Sequence, residues 1–115
     1  MNEQEFEQRA DAIFGQIEQA LDAASDSEEA RDLDYETLPG GVLEIEGVGR
    51  GKIVVNRHVA NREIWVAAAA SGGFHFAWNG ADWRDTRSER TLPAYLNELF
   101  AQAGVHIELS GLNTV

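Results

Sequence analysis

Between residues 33 and 86 the chain runs through six short segments in which apolar and polar residues alternate, joined mostly by turns too short to hold a helix. The segments are Leu33 to Leu38, Val42 to Glu46, Lys52 to Asn56, Glu63 to Ala69, Phe74 to Trp78 and Asp82 to Thr86. Turn residues separate them: Pro39-Gly40-Gly41, the glycine-rich stretch Gly47 to Gly51, Ser71-Gly72-Gly73, and Asn79-Gly80, which reads as a two-residue hairpin. Strands joined this way pair with their neighbours as an antiparallel meander. An amphipathic helix precedes them over residues 3–24, with Phe6, Ala10, Ile13, Phe14, Ile17, Leu21 and Ala24 at helical spacing. A second follows over 92–103, with Leu92, Tyr95, Leu96, Leu99, Phe100 and Ala103 on its stripe, Thr91 as N-cap and Gly104 as stop. The expected fold is therefore α+β: a two-layer sandwich with two helices on one face of a six-stranded antiparallel sheet. One domain is expected over residues 1–109, with Val105, Ile107 and Leu109 extended against it and residues 110–115 as a loose tail.

A chain of 115 residues suffices for one core. It has no cysteine, so disulfides, thiolate metal sites and cysteine nucleophiles are excluded. The formal net charge of −11 disfavours binding to nucleic acid or to an anionic membrane. No apolar run is long enough to span a bilayer, and Met1-Asn2-Glu3-Gln4-Glu5 does not read as a secretory signal, so a cytoplasmic setting is expected.

The acidity is uneven. Residues 1–46 hold 14 acids and two bases, whereas residues 47–115 hold six acids and seven bases. On a helical wheel Glu7, Asp11, Glu18 and Asp22 fall within about 60° of one another, beside the apolar stripe, while Arg9 lies on the far side. Glu7/Asp11 and Glu18/Asp22 are like-charge pairs four residues apart, each costing about 0.3 kcal/mol. Asp22 and Asp26 also lie near the helix C-terminus, where the dipole favours cations. All these terms oppose helix stability, which favours a working surface over an incidental one. In the first strand Asp32, Asp34 and Glu36 share one face and Leu33 and Tyr35 the other, and Glu44 and Glu46 follow on the next strand. The expected result is one continuous carboxylate ridge.

Such a ridge offers hard oxygen ligands suited to Ca²⁺, Mg²⁺, Mn²⁺ or iron, bound weakly because an exposed ridge is no preformed cage. It equally suits docking to a basic patch on a partner, and a solvated acidic face is the plain alternative. Asp32 to Thr37 lacks the glycine of an EF-hand loop, and neither helix carries the Glu-x-x-His of a di-iron bundle. His58, His75 and His106 are isolated, nothing pairs a nucleophile with a base, and no enzyme activity is expected. Trp65, between inward Ile64 and Val66, faces out of the sheet, either as a contact anchor or partly covered by its neighbours. Trp78 and Trp83 are expected to pack at the sheet end.

The stretches Lys52-Ile53-Val54-Val55-Asn56-Arg57, Glu63-Ile64-Trp65-Val66-Ala67 and Gly72-Gly73-Phe74-His75-Phe76, with the opening Met1 to Phe6 and Gly40-Gly41-Val42-Leu43, resemble the frataxin family and its bacterial CyaY branch. The resemblance implies the same two-helix, one-sheet sandwich. It implies a protein of iron–sulfur cluster assembly with iron, Fe²⁺ or Fe³⁺, held weakly on surface carboxylates. The matching positions are Glu18, Asp22, Asp26, Asp32, Asp34 and Glu36, with Glu7 and Asp11 nearer the start. It implies two partners, the cysteine desulfurase and the iron–sulfur scaffold protein. Glu18, Asp22, Asp32 and Asp34 would serve as the docking ridge, and Asn56 and Trp65 as a second contact surface. A monomer is expected without iron. An iron-oxidising or iron-storing protein that assembles with iron, and an acidic docking module indifferent to metal, are the competing readings.

Overall fold

The computed structural model describes residues 1–24, 33–48, 51–68 and 72–102. Asp26, Asp32 and the expected extended segment and tail after Gly104 lie outside the described residues.

The first helix, α1, spans Glu3–Ala24. Asn2 caps it: its side-chain oxygen accepts the Glu5 N–H at 2.8 Å, satisfying one of the donors that a helix start leaves open. The strands are β1 (Asp34–Leu38), β2 (Val42–Val48), β3 (Gly51–His58), β4 (Glu63–Ala68), β5 (Gly72–Trp78) and β6 (Trp83–Asp85), and α2 spans Leu92–Gln102. They form one six-stranded sheet whose spatial order follows the chain, antiparallel at every pairing. This is the expected meander. Both helices contribute to one core with the inner face of the sheet: Phe6, Ile13 and Ile17 from α1, Leu43, Val55 and Ile64 from the strands, and Leu96 and Phe100 from α2 are all fully buried. Thr91 caps α2 through its Oγ1, which accepts the Ala94 N–H.

Most strand ends differ from the sequence expectation by one or two residues, β5 for example starting at Gly72 and β6 spanning only Trp83–Asp85, and three of the differences have a visible cause. β2 runs on through Gly47 to Val48, because a bulge between Ile45 and Val48 absorbs one extra residue, and Gly47 supplies the positive φ of 83° there. β3 continues two residues past Asn56, since Arg57 and His58 pair with Ile64 and Glu63 on β4. The last hairpin is not a two-residue turn. Trp78 pairs with Trp83, which leaves a four-residue loop in which the Asn79 side chain accepts the N–H groups of Ala81 (2.9 Å) and Asp82 (2.8 Å). The Asn side chain takes over a backbone role, as asparagine does in turns. Trp83 is buried and meets Phe6 edge-on at 6.0 Å, and half-buried Trp78 carries the Arg9 guanidinium 4.4 Å above its ring.

The Pro39-Gly40-Gly41 turn admits little else. Gly41 takes φ 78°, its carbonyl accepts the Arg57 N–H at 3.0 Å, and a Cβ there would collide with the Arg57 side chain. Gly15, inside α1, has open space where a Cβ would stand. The two glycines should therefore respond oppositely: Gly41→Ala is expected to lower stability by about 2 kcal/mol, and Gly15→Ala to raise it by about 1 kcal/mol, read as shifts in Tm by calorimetry.

Candidate functional site

The helix packs under the sheet, while alternate residues of β1 point to its other side, so the acidic rows do not lie in one plane. Glu18 and Asp22 flank α1 in the helical layer, Tyr35 points inward from β1 toward them, and exposed Asp34 and Glu36 project from the opposite side of β1. β1 is an edge strand, so the ridge wraps around that edge. Tyr35 joins its two halves: the phenol donates to Asp22 Oδ1 at 2.7 Å, and the Tyr35 N–H donates to Asp34 Oδ1 at 2.9 Å. The hydrogen bond to Asp22, with burial and the charges of Asp22, Glu18 and Asp34, pushes the Tyr35 hydroxyl up to about 12.

The strand row continues onto β2. Asp34 faces Glu46 and Glu36 faces Glu44 across the β1–β2 pairing, which sets like charges opposite one another. Lys52 relieves part of this, with its Nζ 3.2 Å from Glu44 and 3.4 Å from Glu46, and its own pKa is raised by those two contacts.

At the other end the expectation of unrelieved like charge is corrected. Glu7 and Asp11 are not an uncompensated pair: Arg57 reaches from β3 between them and donates through Nη1 to Asp11 Oδ1 at 2.6 Å and to Glu7 Oε1 at 3.3 Å. Its side chain is 14 % exposed, and its guanidinium lies 4.6 Å from the Phe14 ring centroid. Arg57 takes the inward position after Ile53 and Val55, so period-two counting along β3 carried the signal that a cation would meet the helix there. Arg9 pairs with Glu5 instead, as its place on the wheel requires.

Among the described residues, no three histidine, aspartate or glutamate side chains converge as a cage for one ion. The geometry suits ions held by one or two carboxylates, with water completing the shell.

The outer face of the sheet carries a second constellation. Trp65 sits between two imidazoles: His58 stacks on it at 3.9 Å and 9°, and His75 at 4.1 Å and 7°. Its indole N–H donates to Glu63 Oε1 at 2.8 Å, and the same oxygen lies 3.8 Å from His75 Nδ1. Trp65 thus faces out, as expected, but its neighbours half-bury it. His58 and His75, read from sequence as isolated, are its cross-strand company, because His75 pairs with Trp65 and His58 with Glu63; His106 lies outside the described residues. Beside the stack lies a shallow depression of about 170 Å³ lined by Val54, Asn56, Trp65, Ala67, Gly73 and His75. Asn56 and Trp65 are direct cross-strand partners within it.

Comparison with known proteins bears on this arrangement. Residues 1–105 match the model of the frataxin-like domain. A protein of Dechloromonas aromatica (strain RCB) called "Iron-sulfur cluster assembly protein CyaY" is 50% identical over 102 residues, covering 89% of this chain and 91% of that one. Its namesake in Neisseria meningitidis serogroup B is 40% identical over 113 residues, covering 97% and 99%. Among solved structures, the frataxin of Psychromonas ingrahamii superposes with a TM-score of 0.79 at 27% identity, over 95% of this chain and 98% of that one. A trimeric frataxin of Saccharomyces cerevisiae, complexed with ferrous iron, superposes with a TM-score of 0.71 at 29% identity, over 83% and 84%.

The Tyr35–Asp22 contact has a pH signature. A phenol whose folded pKa exceeds the ordinary 10.0 retains its proton in the folded state after the unfolded chain has lost it. Its stabilisation is complete below pH 10 and is lost as pH rises toward about 12. Asp22→Asn should bring the Tyr35 titration, followed by ultraviolet difference absorbance, back toward the ordinary tyrosine range and remove that part of the alkaline stability loss.

Proposed function

This chain belongs to the frataxin-like family, and on that premise we propose that it is a non-enzymatic iron-binding protein of iron–sulfur cluster assembly that regulates the cysteine desulfurase. The observation that carries the reading is the carboxylate ridge around β1, where Tyr35 bonds both Asp22 on α1 and Asp34 on β1, with Glu18 and Glu36 on the same two rows. Iron is cargo on this surface. Hard oxygen donors spread along an edge bind it weakly and release it readily, which suits a sensor or donor better than a store. The names of the relatives support the assembly role, and the ferrous complex of the yeast structure supports the choice of ion.

The same ridge would dock a basic surface on the desulfurase, with the acid-rich first 46 residues steering the encounter. The outer face, with Asn56 and Trp65, would take the scaffold protein: a stacked indole beside an apolar depression is a rigid anchor that loses little entropy on binding. In this reading the protein touches one partner along the β1 edge and the other with the middle of the sheet's outer face. A second reading is an acidic docking face that needs no metal, because the same exposed carboxylates would meet a basic surface without one.

The quadruple change Glu18→Gln, Asp22→Asn, Asp34→Asn and Glu36→Gln is expected to weaken desulfurase binding by about a hundredfold at low salt and by less at high salt. Calorimetry with and without ferrous iron reads this out. Unchanged affinity overturns docking through the ridge, and affinity that is lost in the quadruple variant but insensitive to iron and chelator selects the metal-free reading. Trp65→Ala is expected to lower scaffold affinity by at least about tenfold while leaving desulfurase affinity unchanged.

A further inference from the structure

Arg57 is the one described base that reaches the N-terminal end of the ridge from another element, and its setting is costly to build. Its stem crosses the space that a Cβ at Gly41 would fill, its backbone N–H is held by the Gly41 carbonyl at 3.0 Å, and its guanidinium rests 4.6 Å from the Phe14 ring. Nη1 is committed to Asp11 at 2.6 Å and to Glu7 at 3.3 Å, while Nε is buried without a hydrogen-bond partner. A cation that displaced Arg57 from these carboxylates would leave a mostly buried guanidinium short of partners, which the fold resists strongly.

We propose that Arg57 is a resident counter-ion that reserves Glu7 and Asp11, closes that end of the ridge to metal and so confines cations to the end around Glu18, Asp22, Asp34 and Glu36. The guanidinium selects among the family's candidate ligands by occupying two of them, and thereby sets where on α1 an ion can sit. The inference rests on the ridge reading above for its consequence and on the Arg57 geometry alone for its test. It also separates two acidic pairs that look alike in sequence: Glu7/Asp11 and Glu18/Asp22 share the same spacing, yet the first is bonded by the Arg57 cation of β3 and Asp22 of the second by the neutral Tyr35 phenol of β1.

The test titrates the full chain with Lu³⁺, a hard diamagnetic ion that favours oxygen ligands, and follows the carboxyl ¹³C resonances of Glu7, Asp11, Glu18 and Asp22 by NMR. In the unaltered protein Glu18 and Asp22 should shift at concentrations about tenfold below those that move Glu7 and Asp11. In Arg57→Met the midpoint for Glu7 and Asp11 should fall about tenfold, and adding Asp11→Asn to that variant should abolish the gain. Equal midpoints for both pairs in the unaltered protein overturn the proposal, as does an Arg57→Met midpoint that does not move. If Arg57→Met fails to fold, Arg57→Gln replaces it, and the comparison of the two pairs in the unaltered protein decides by itself. Should Glu18 and Asp22 ignore the ion while Arg57→Met gains binding at Glu7 and Asp11, the ridge reading fails and the counter-ion role stands.

Discussion

A sheet covered by helices on one side only must give every second residue of each strand to the core. In this protein Leu43, Ile45, Ile53, Val55, Ile64, Val66 and Phe76 meet that demand with relative exposures of 0 to 3 %. Their neighbours are then assigned to the outer face without choice, because a one-residue slip would exchange the two sets. Asn56, Trp65 and His75 converge on the outer face for this reason, and Asp34, Glu36, Glu44 and Glu46 gather on its β1 side. The bulge between Ile45 and Val48 shifts the β2–β3 pairing by one residue only beyond the core positions Leu43 and Ile45. The surfaces on which function is proposed are thus by-products of how the core is buried.

Charge is handled with the same economy. The ridge concentrates like charge on α1 and β1, and the fold answers it locally with three contacts of different kinds. Arg57 supplies a mostly buried guanidinium at one end, Tyr35 a neutral donor at the other, and Lys52 an exposed ammonium on the outer face. A guanidinium gripping two carboxylates under an aromatic ring fixes geometry, whereas an exposed lysine trades readily with solvent ions. The ridge is therefore held by different kinds of contact along its length, although its residue types hardly change.

Much of this was legible in the sequence. The two helices, the six strands and their antiparallel order follow from apolar spacing and short turns, and α1 begins and ends where that spacing predicts. The outward placement of Trp65 follows from its inward neighbours Ile64 and Val66. What stayed hidden were contacts between elements far apart in the chain. The wheel showed Glu7 and Asp11 as a repelling pair because a wheel contains only its own helix, and their partner lies 46 and 50 residues away. The histidines looked isolated because cross-strand neighbours are not sequence neighbours: His75 and Trp65 become adjacent only once β4 and β5 are in register. Period-two counting places Asp34 and Glu36 together on one face of β1, but a count along one strand does not say how that face meets the acidic flank of α1, which the fold sets on the other side of the sheet edge.

The spatial order of the strands bears on how the chain reaches this state. Every pairing from β1 to β6 joins elements consecutive in the chain, so each hairpin closes over a short loop. The clasp between α1 and β3 closes over 46 to 50 residues, and loop entropy makes that step about 2 kcal/mol dearer than a four-residue turn. Ordering cost in the molecule is therefore concentrated in a single closure, the arrival of the first helix on a sheet whose pairings are local. The contacts that seal it, Arg57 on Glu7 and Asp11 at one end and Tyr35 on Asp22 at the other, bracket α1 along much of its length. The acidic helix is thus held at both ends by the strands whose assembly precedes it in this order of cost.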